Sequence, residues 1–167
     1  FIIVECQHVK PGKGGAFVRT TLKSLVTGNV IDKTFRSGEK VDKPDLEEKQ
    51  MQFLYESEGE FHFMDEETYE QLYLTAEQLG DARNYLKENV SVTVLFHNGK
   101  SIGVEVPIFV ELEVTFTEPG VKGDTAAGAT KPATLSTGMS VQVPLFVNEG
   151  DVLRIDTRTG KYIERVR

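Results

Sequence analysis

The chain reads as an all-β protein assembled from small barrels, and three observations along its 167 residues point there. Apolar and polar residues alternate with period two over many short runs, turn residues punctuate those runs, and helical spacing is confined to one stretch. In order, the runs are Phe1–Val9, Ala16–Leu22, Asn29–Phe35, Gln50–Tyr55, Glu60–Met64, Tyr69–Leu74, Val90–His97, Ser101–Val106, Phe109–Phe116, Ser140–Val147, Asp151–Asp156 and Lys161–Val166. The turns between them carry residues that tolerate positive φ: Thr27-Gly28-Asn29, Glu58-Gly59, Asn98-Gly99, Glu149-Gly150 and Thr159-Gly160. Thr75-Ala-Glu-Gln78 has capping-box spacing and Asp81 is placed to cap Ala82–Glu88, so one broken helix is expected over Ala76–Glu88. A strand meander interrupted by one short helix is what a five-stranded OB barrel contains.

Two prolines mark boundaries. Pro44 follows a polar, charged stretch and Pro107 separates two strong strands, which divides the chain into 1–43, 44–106 and 107–167. The runs Val90-Ser-Val-Thr-Val94 and Met139-Ser-Val-Gln-Val143 hint that the second and third pieces are one fold used twice.

Charge divides along the same lines. Residues 1–43 hold eight Lys/Arg against four Asp/Glu, residues 44–106 hold four against fourteen, and residues 107–167 hold seven against eight. A basic head joined to an acidic middle can orient a protein toward a polyanion, although solvated acidic faces alone would give the same count.

Reactive groups do not converge. His8, His62 and His97 are scattered without metal-ligand spacing, no G-x-S-x-G elbow is present, and Asp65-Glu66-Glu67 and Glu56–Glu60 sit at turns as a solvated rim. This predicts a protein that is not an enzyme and needs no metal or cofactor. Cys6 is the only cysteine, which excludes a disulfide framework, suits a reducing cytoplasm, and predicts a small side chain packed inside a strand. No apolar run approaches the ~20 residues that cross a bilayer, so no membrane partner is expected.

Two segments stand apart. Val-Lys-Pro-Gly-Lys-Gly-Gly-Ala-Phe at Val9–Phe17 places Lys10 and Lys13 among Pro11, Gly12, Gly14 and Gly15. It lacks the Walker spacing and no helix follows it, so it is either an ordinary hairpin turn or a narrow support for one cation. Glu118–Thr134 reads as a long loop, poor in large apolar groups, that is either a flexible linker or a track for a phosphate backbone.

At these segments the chain resembles the bacterial translation elongation factor P family. The residues that carry the likeness are K-P-G-K-G-G-A-F at Lys10–Phe17, L-x-x-L-x-T-G at Leu22–Gly28, K-T-F at Lys33–Phe35 and F-V-E-L-E-V at Phe109–Val114. They continue in E-P-G-V-K-G-D-T-A-A-G-A-T-K-P-A-T-L-S-T-G at Glu118–Gly138, V-P-L-F-V at Val143–Val147 and D-T-R-T-G-K-Y-I-E-R-V at Asp156–Val166. The resemblance implies an SH3-like (KOW-like) first domain followed by two OB domains, arranged as an L shaped like a tRNA, with a further stretch of chain before Phe1.

It also implies a function. Family members bind the ribosome between the peptidyl and exit sites, beside peptidyl-tRNA, and relieve stalling at consecutive prolines by supporting peptide-bond formation. The tip lysine of the first loop, Lys13 here, is post-translationally extended by a lysine-modifying enzyme. Lys10, Pro11, Gly12, Gly14 and Gly15 support it, Gly12 and Gly14 by taking φ values closed to other residues. Gly123, Asp124, Thr125, Ala126 and Lys131, Pro132, Ala133, Thr134 match a segment beside the mRNA. Tyr162 and Arg165 match residues implicated in tRNA contact; Arg19, with Lys23, Lys33 and Arg36, serves either to touch tRNA or ribosomal RNA backbones or simply to keep the surface soluble. The expected protein is a cytoplasmic monomer. The competing reading is a generic OB-type single-stranded RNA-binding protein, against which stands the acidity of the aromatic-rich middle piece.

Overall fold

Each alternating run exposes an apolar face that only paired strands around a shared core can cover, and the runs accordingly form three antiparallel sheets. The computed structural model describes residues 1–120 and 128–166. The first sheet has the order β1-β2-β3, from β1 (Ile2–Val9), β2 (Phe17–Lys23) and β3 (Val30–Arg36). The second is built from β4 (Glu47–Ser57), β5 (Glu60–Asp65), β6 (Gln71–Thr75), β7 (Ser91–His97) and β8 (Lys100–Glu105), in the order β6-β5-β4-β7-β8. The third uses β9 (Phe109–Thr117), β10 (Thr130–Leu135), β11 (Ser140–Pro144), β12 (Val152–Asp156) and β13 (Lys161–Arg165), in the order β11-β10-β9-β12-β13.

The two five-stranded sheets therefore share one order: third, second, first, fourth, fifth. One fold is used twice, as the sequence hinted, but the hint rested on strands that do not correspond. Val90–Val94 runs into β7, the fourth strand of its sheet, whereas Met139–Val143 runs into β11, the third strand of the other. Their likeness is ordinary strand composition.

Two turns follow directly from local chemistry. Glu58-Gly59 (φ 53 and 80) and Asn98-Gly99 (φ 50 and 75) join β4 to β5 and β7 to β8 with positive φ at both positions, as two-residue hairpins prefer. Elsewhere the expectation shifts. Tyr69 has φ 61 and lies in the turn held by the Asp65 carboxylate, which accepts from Glu67 N and Thr68 N, so β6 starts only at Gln71. These backbone donors hold the Asp65 carboxyl below its ordinary range. β11 stops at Pro144, short of Val147, where the missing N–H ends pairing.

The helix is shorter than expected. The Thr75/Gln78 capping box forms, but α1 covers only Ala76–Leu79, because Gly80 turns to φ 55 and the chain continues as a 3-10 helix over Gly80–Tyr85. Asp81 lies inside that 3-10 helix and caps nothing, since its N-cap is Leu79.

The larger correction concerns 130–134. They were expected in a loop and instead form most of β10, paired with β11 from Thr130↔Pro144 to Thr134↔Ser140. Pro132 is tolerated because pairing with β9 begins only at Ala133↔Thr117.

The chain forms two compact units, Phe1–Glu47 with Phe96–Gly103, and Glu48–Leu95 with Val104–Arg167. In the first, only Thr20 and Leu22 of the central strand β2 are buried among the three strands of the sheet. Cys6, expected inside, is exposed on β1 because that strand is an edge and its side chains are not covered. In the second unit, Met51, Phe53, Phe61, Phe63, Val92 and Val94 fill one barrel, and Leu112, Val114, Leu135, Val143, Leu153 and Ile155 fill the other. Each such burial contributes about 1.5–3 kcal/mol. Tyr85, from the 3-10 helix of the first barrel, is buried within the core cluster of the second, and Thr137 Oγ1 donates to Asn84 O at 2.7 Å beside it.

Candidate functional site

The hairpin of β1 and β2 closes at Val9↔Phe17, leaving Lys10–Ala16 as its loop. Ser37 N donates to Ala16 O at 3.0 Å and fixes one end. Beyond that the loop stands alone: Lys10, Pro11, Gly12, Lys13, Gly14 and Gly15 are all exposed. Lys13 is exposed, and its side chain has no ion-pair or hydrogen-bond partner among the described residues. Gly14 has φ +116, which L side chains rarely adopt, while a Cβ there would pass 3.9 Å from Pro11 Cγ. Gly12, expected to share that need, has no positive φ, and a Cβ at Gly12 or Gly15 would meet nothing within 4 Å.

A contrast between neighbours follows. Gly14→Ala is expected to strain the loop by ~1–3 kcal/mol and re-aim Lys13. Gly12→Ala should leave the fold within ~0.5 kcal/mol of the parent, as an open surface site does. Thermal melts of the two variants, with backbone amide shifts of residues 10–16, check this; equal perturbation by both would contradict it.

The basic residues on the strands behind the loop are laid on rings. The Arg19 guanidinium lies 5.7 Å from the Phe17 centroid and Lys33 Nζ lies 4.9 Å from that of Phe35. Arg19 and Lys33 share a shallow groove with Glu5 and Asp32, so this face is mixed in charge. Lys23 and Arg36 are exposed on β2 and β3.

In the third sheet the predicted residues separate into inside and outside. Gly123, Asp124, Thr125 and Ala126 lie outside the described residues. Lys131 is only 7% exposed, and its Nζ donates to Glu118 O at 2.6 Å. Its ammonium thus ties β10 to the end of β9. Ala133 is buried in the barrel core, Pro132 is exposed and Thr134 half-buried, the alternation of a strand with one face inward. Gly120 runs so close to the segment after β11 that a Cβ would sit 2.8 Å from Leu145 O.

Tyr162 and Arg165 are on β13, which is not adjacent to β10 in the sheet. Tyr162 packs against the core, and Arg165 lies 5.0 Å over the Phe146 ring with its NH1 3.4 Å from Asp151 Oδ2. Other arginines here are also paired. Arg154 stands between Glu164 and Glu111, its cross-strand partners on β13 and β9. Arg158 grips Asp156 through Nε and NH2 at 3.1 and 2.9 Å and holds that carboxyl below its ordinary range. Sequence reading missed these pairs, although the strand register would have revealed Arg154's. It also missed Tyr85, whose contacts are tertiary.

Among the described residues no cluster of His, Cys, Asp or Glu could hold a metal, and no helix is long and apolar enough to cross a membrane. An OB strand order used twice, preceded by a three-stranded sheet whose first hairpin ends in an exposed lysine, defines a modular OB-fold protein. Such folds serve several ligands, so fold alone does not choose among them. Family models choose: the elongation factor P KOW-like domain matches residues 1–41, the elongation factor P OB domain 46–104, and the elongation factor P C-terminal domain 110–165. The chain belongs to the elongation factor P family, a family of translation elongation factors.

Its relatives agree. Elongation factor P of Natranaerobius thermophilus is 60% identical over 167 residues, covering 100% of this chain and 89% of the relative. That of Pelotomaculum thermopropionicum is 61% identical over 164 residues, covering 98% and 89%. A solved structure of eukaryotic translation initiation factor 5A from Methanococcus jannaschii matches with a TM-score of 0.42 at 23% identity, over 63% of this chain and 75% of the other.

Proposed function

We propose that this elongation factor binds the ribosome beside peptidyl-tRNA and promotes peptide-bond formation at consecutive prolines, with Lys13 as the residue presented to the tRNA. The observation that carries the reading is the loop itself. Gly12 and Gly15 lack a Cβ where none of the chain's own atoms requires it; Gly12 directly precedes the exposed Lys13 and Gly15 follows it by two residues. Bare backbone on either side of a lysine suits close approach to a crowded partner, and a single ammonium suits phosphates near a tRNA acceptor end. Extension of Lys13 by a lysine-modifying enzyme would lengthen that reach.

The factor then works by position. Holding peptidyl-tRNA lowers the entropic cost of reaching the reactive geometry, while the ribosome performs the chemistry, so the chain is an accessory and not an enzyme. In this reading residues 1–43, 44–106 and 107–167 act as three domains in the cytoplasm. Pro132 and Thr134, on the outer face of β10, lie toward mRNA or ribosomal RNA.

Reconstituted translation of a Pro-Pro-Pro reporter lacking any other factor of this family tests the proposal. Added protein should raise full-length product on that reporter and not on its proline-free counterpart. Failure of both the modified and unmodified protein to do so would overturn it.

A further inference from the structure

The outer face of β4, β5 and β6 carries a row of rings that the function above does not use. Tyr55, His62 and Tyr73 are cross-strand partners, Tyr55↔His62 and His62↔Tyr73. The Tyr55 and His62 rings stack with centroids 4.6 Å apart at 21°, and His62 and Tyr73 lie 6.1 Å apart at 44°. A β-bulge makes the row: the register slips between Phe53 and Tyr55, so that Tyr55 and not Leu54 stands opposite His62. The end rings remain open to solvent, Tyr55 48% and Tyr73 57% exposed.

The charge around the row is predominantly negative. The flanking outward positions are Gln52, Met64 and Gln71 on one side and Ser57, Glu60 and Thr75 on the other, with no cation among them. Glu60 Oε2 lies 3.9 Å from His62 Nε2. Tyr55 also borders a groove in which Glu56, Glu88, Glu111 and Glu113 outnumber Arg83 and Lys87. The whole segment 44–106 carries fourteen acidic residues against four basic.

Open aromatic faces beside carboxylates match a guanidinium, which is planar, weakly hydrated and stacks on rings while its edge donates to carboxylate. We propose that this row is a docking surface for an arginine-bearing protein segment. Single-stranded nucleic acid uses similar ring platforms, but it pairs them with a positively charged groove, and its phosphates would here face Glu60 and the groove carboxylates. The proposal stands independently of where Lys13 acts.

Fluorescence anisotropy of the full chain with a labelled nine-residue peptide of alternating Arg and Gly tests it. Saturable binding is expected, stronger than for the same peptide with Lys in place of Arg. Tyr55→Ala and Tyr73→Ala should each weaken it by about three- to thirtyfold, the range of one exposed to one desolvated cation–π contact. Ring-proton shifts of Tyr55 and Tyr73 in the unaltered protein should move on addition of the peptide, a readout that needs no variant. Unchanged ring shifts, a doubly substituted protein that binds as the parent does, or a labelled oligouridine that binds more tightly than the peptide and loses binding in that double variant would each overturn the proposal.

Discussion

Lys13→Ala is expected to abolish most of the proposed rescue at consecutive prolines and to leave the thermal melt of the protein where it was. Both halves of this expectation come from the same geometry. Lys13 is exposed on a loop whose other residues are exposed too, so its truncation removes no packing and falls among surface changes of within ~0.5 kcal/mol. The activity loss is set by what the ammonium would touch. One charge-assisted hydrogen bond to a phosphate is worth about 1.5–3 kcal/mol, roughly a ten- to hundredfold change in the rate of proline-proline bond formation. Lys13→Arg keeps the charge but not the amine that an acylating or alkylating modification needs, so it should fall between parent and alanine in a host that modifies the loop. Pre-steady-state measurement of dipeptide or tripeptide formation on proline codons reads the effect. An alanine variant with parental rates would remove Lys13 from its assigned role and leave the loop an ordinary turn.

Parts of this molecule were readable from local rules because local chemistry decides them. Glu58-Gly59 and Asn98-Gly99 announce two-residue hairpins, since positive φ at both positions restricts the residues that fit. The capping box at Thr75 was equally visible. What was hidden depended on distant partners. Lys131-Pro-Ala-Thr looks like loop sequence, yet it is a strand because β11 supplies its ladder and Glu118 O receives the buried ammonium. Gly12 looked like a conformational requirement and is not one, whereas Gly14 is. The ring row escaped because it exists only through a bulge: counting by twos from Phe53 would send Tyr55 to the core.

Tyr85 is a residue whose loss should cost a large share of the stability. It leaves the 3-10 helix of one OB barrel and is 6% exposed in the core cluster of the other, packed with residues such as Leu112, Ile155 and Val110. Truncation to alanine should cost about 3–5 kcal/mol, the range for large aromatic side chains removed from a core. For a chain of this size that lowers the melting temperature by about 6–20 °C. The cavity would open where the two barrels share their packing, so the transition should also broaden as they melt less cooperatively. Tyr85→Phe keeps the ring and should cost far less, although the hydroxyl lies within 3.3 Å of where a Cβ on Gly160 would stand. The hydroxyl adds a pH signature. Burial first, then the charges of Asp81 and Asp156, push the Tyr85 pKa above its ordinary 10.0, so the folded state favours the neutral phenol. That contribution is complete below pH 10.0 and is lost as pH rises from there through the folded value. The parent should therefore lose melting temperature above pH 10.0 faster than Tyr85→Phe, which has no phenol to ionise at that position. Differential scanning calorimetry of parent, phenylalanine and alanine variants between neutral and alkaline pH separates packing from ionisation. If the alanine variant melted with the parent, Tyr85 would not be the residue through which the two barrels stabilise one another.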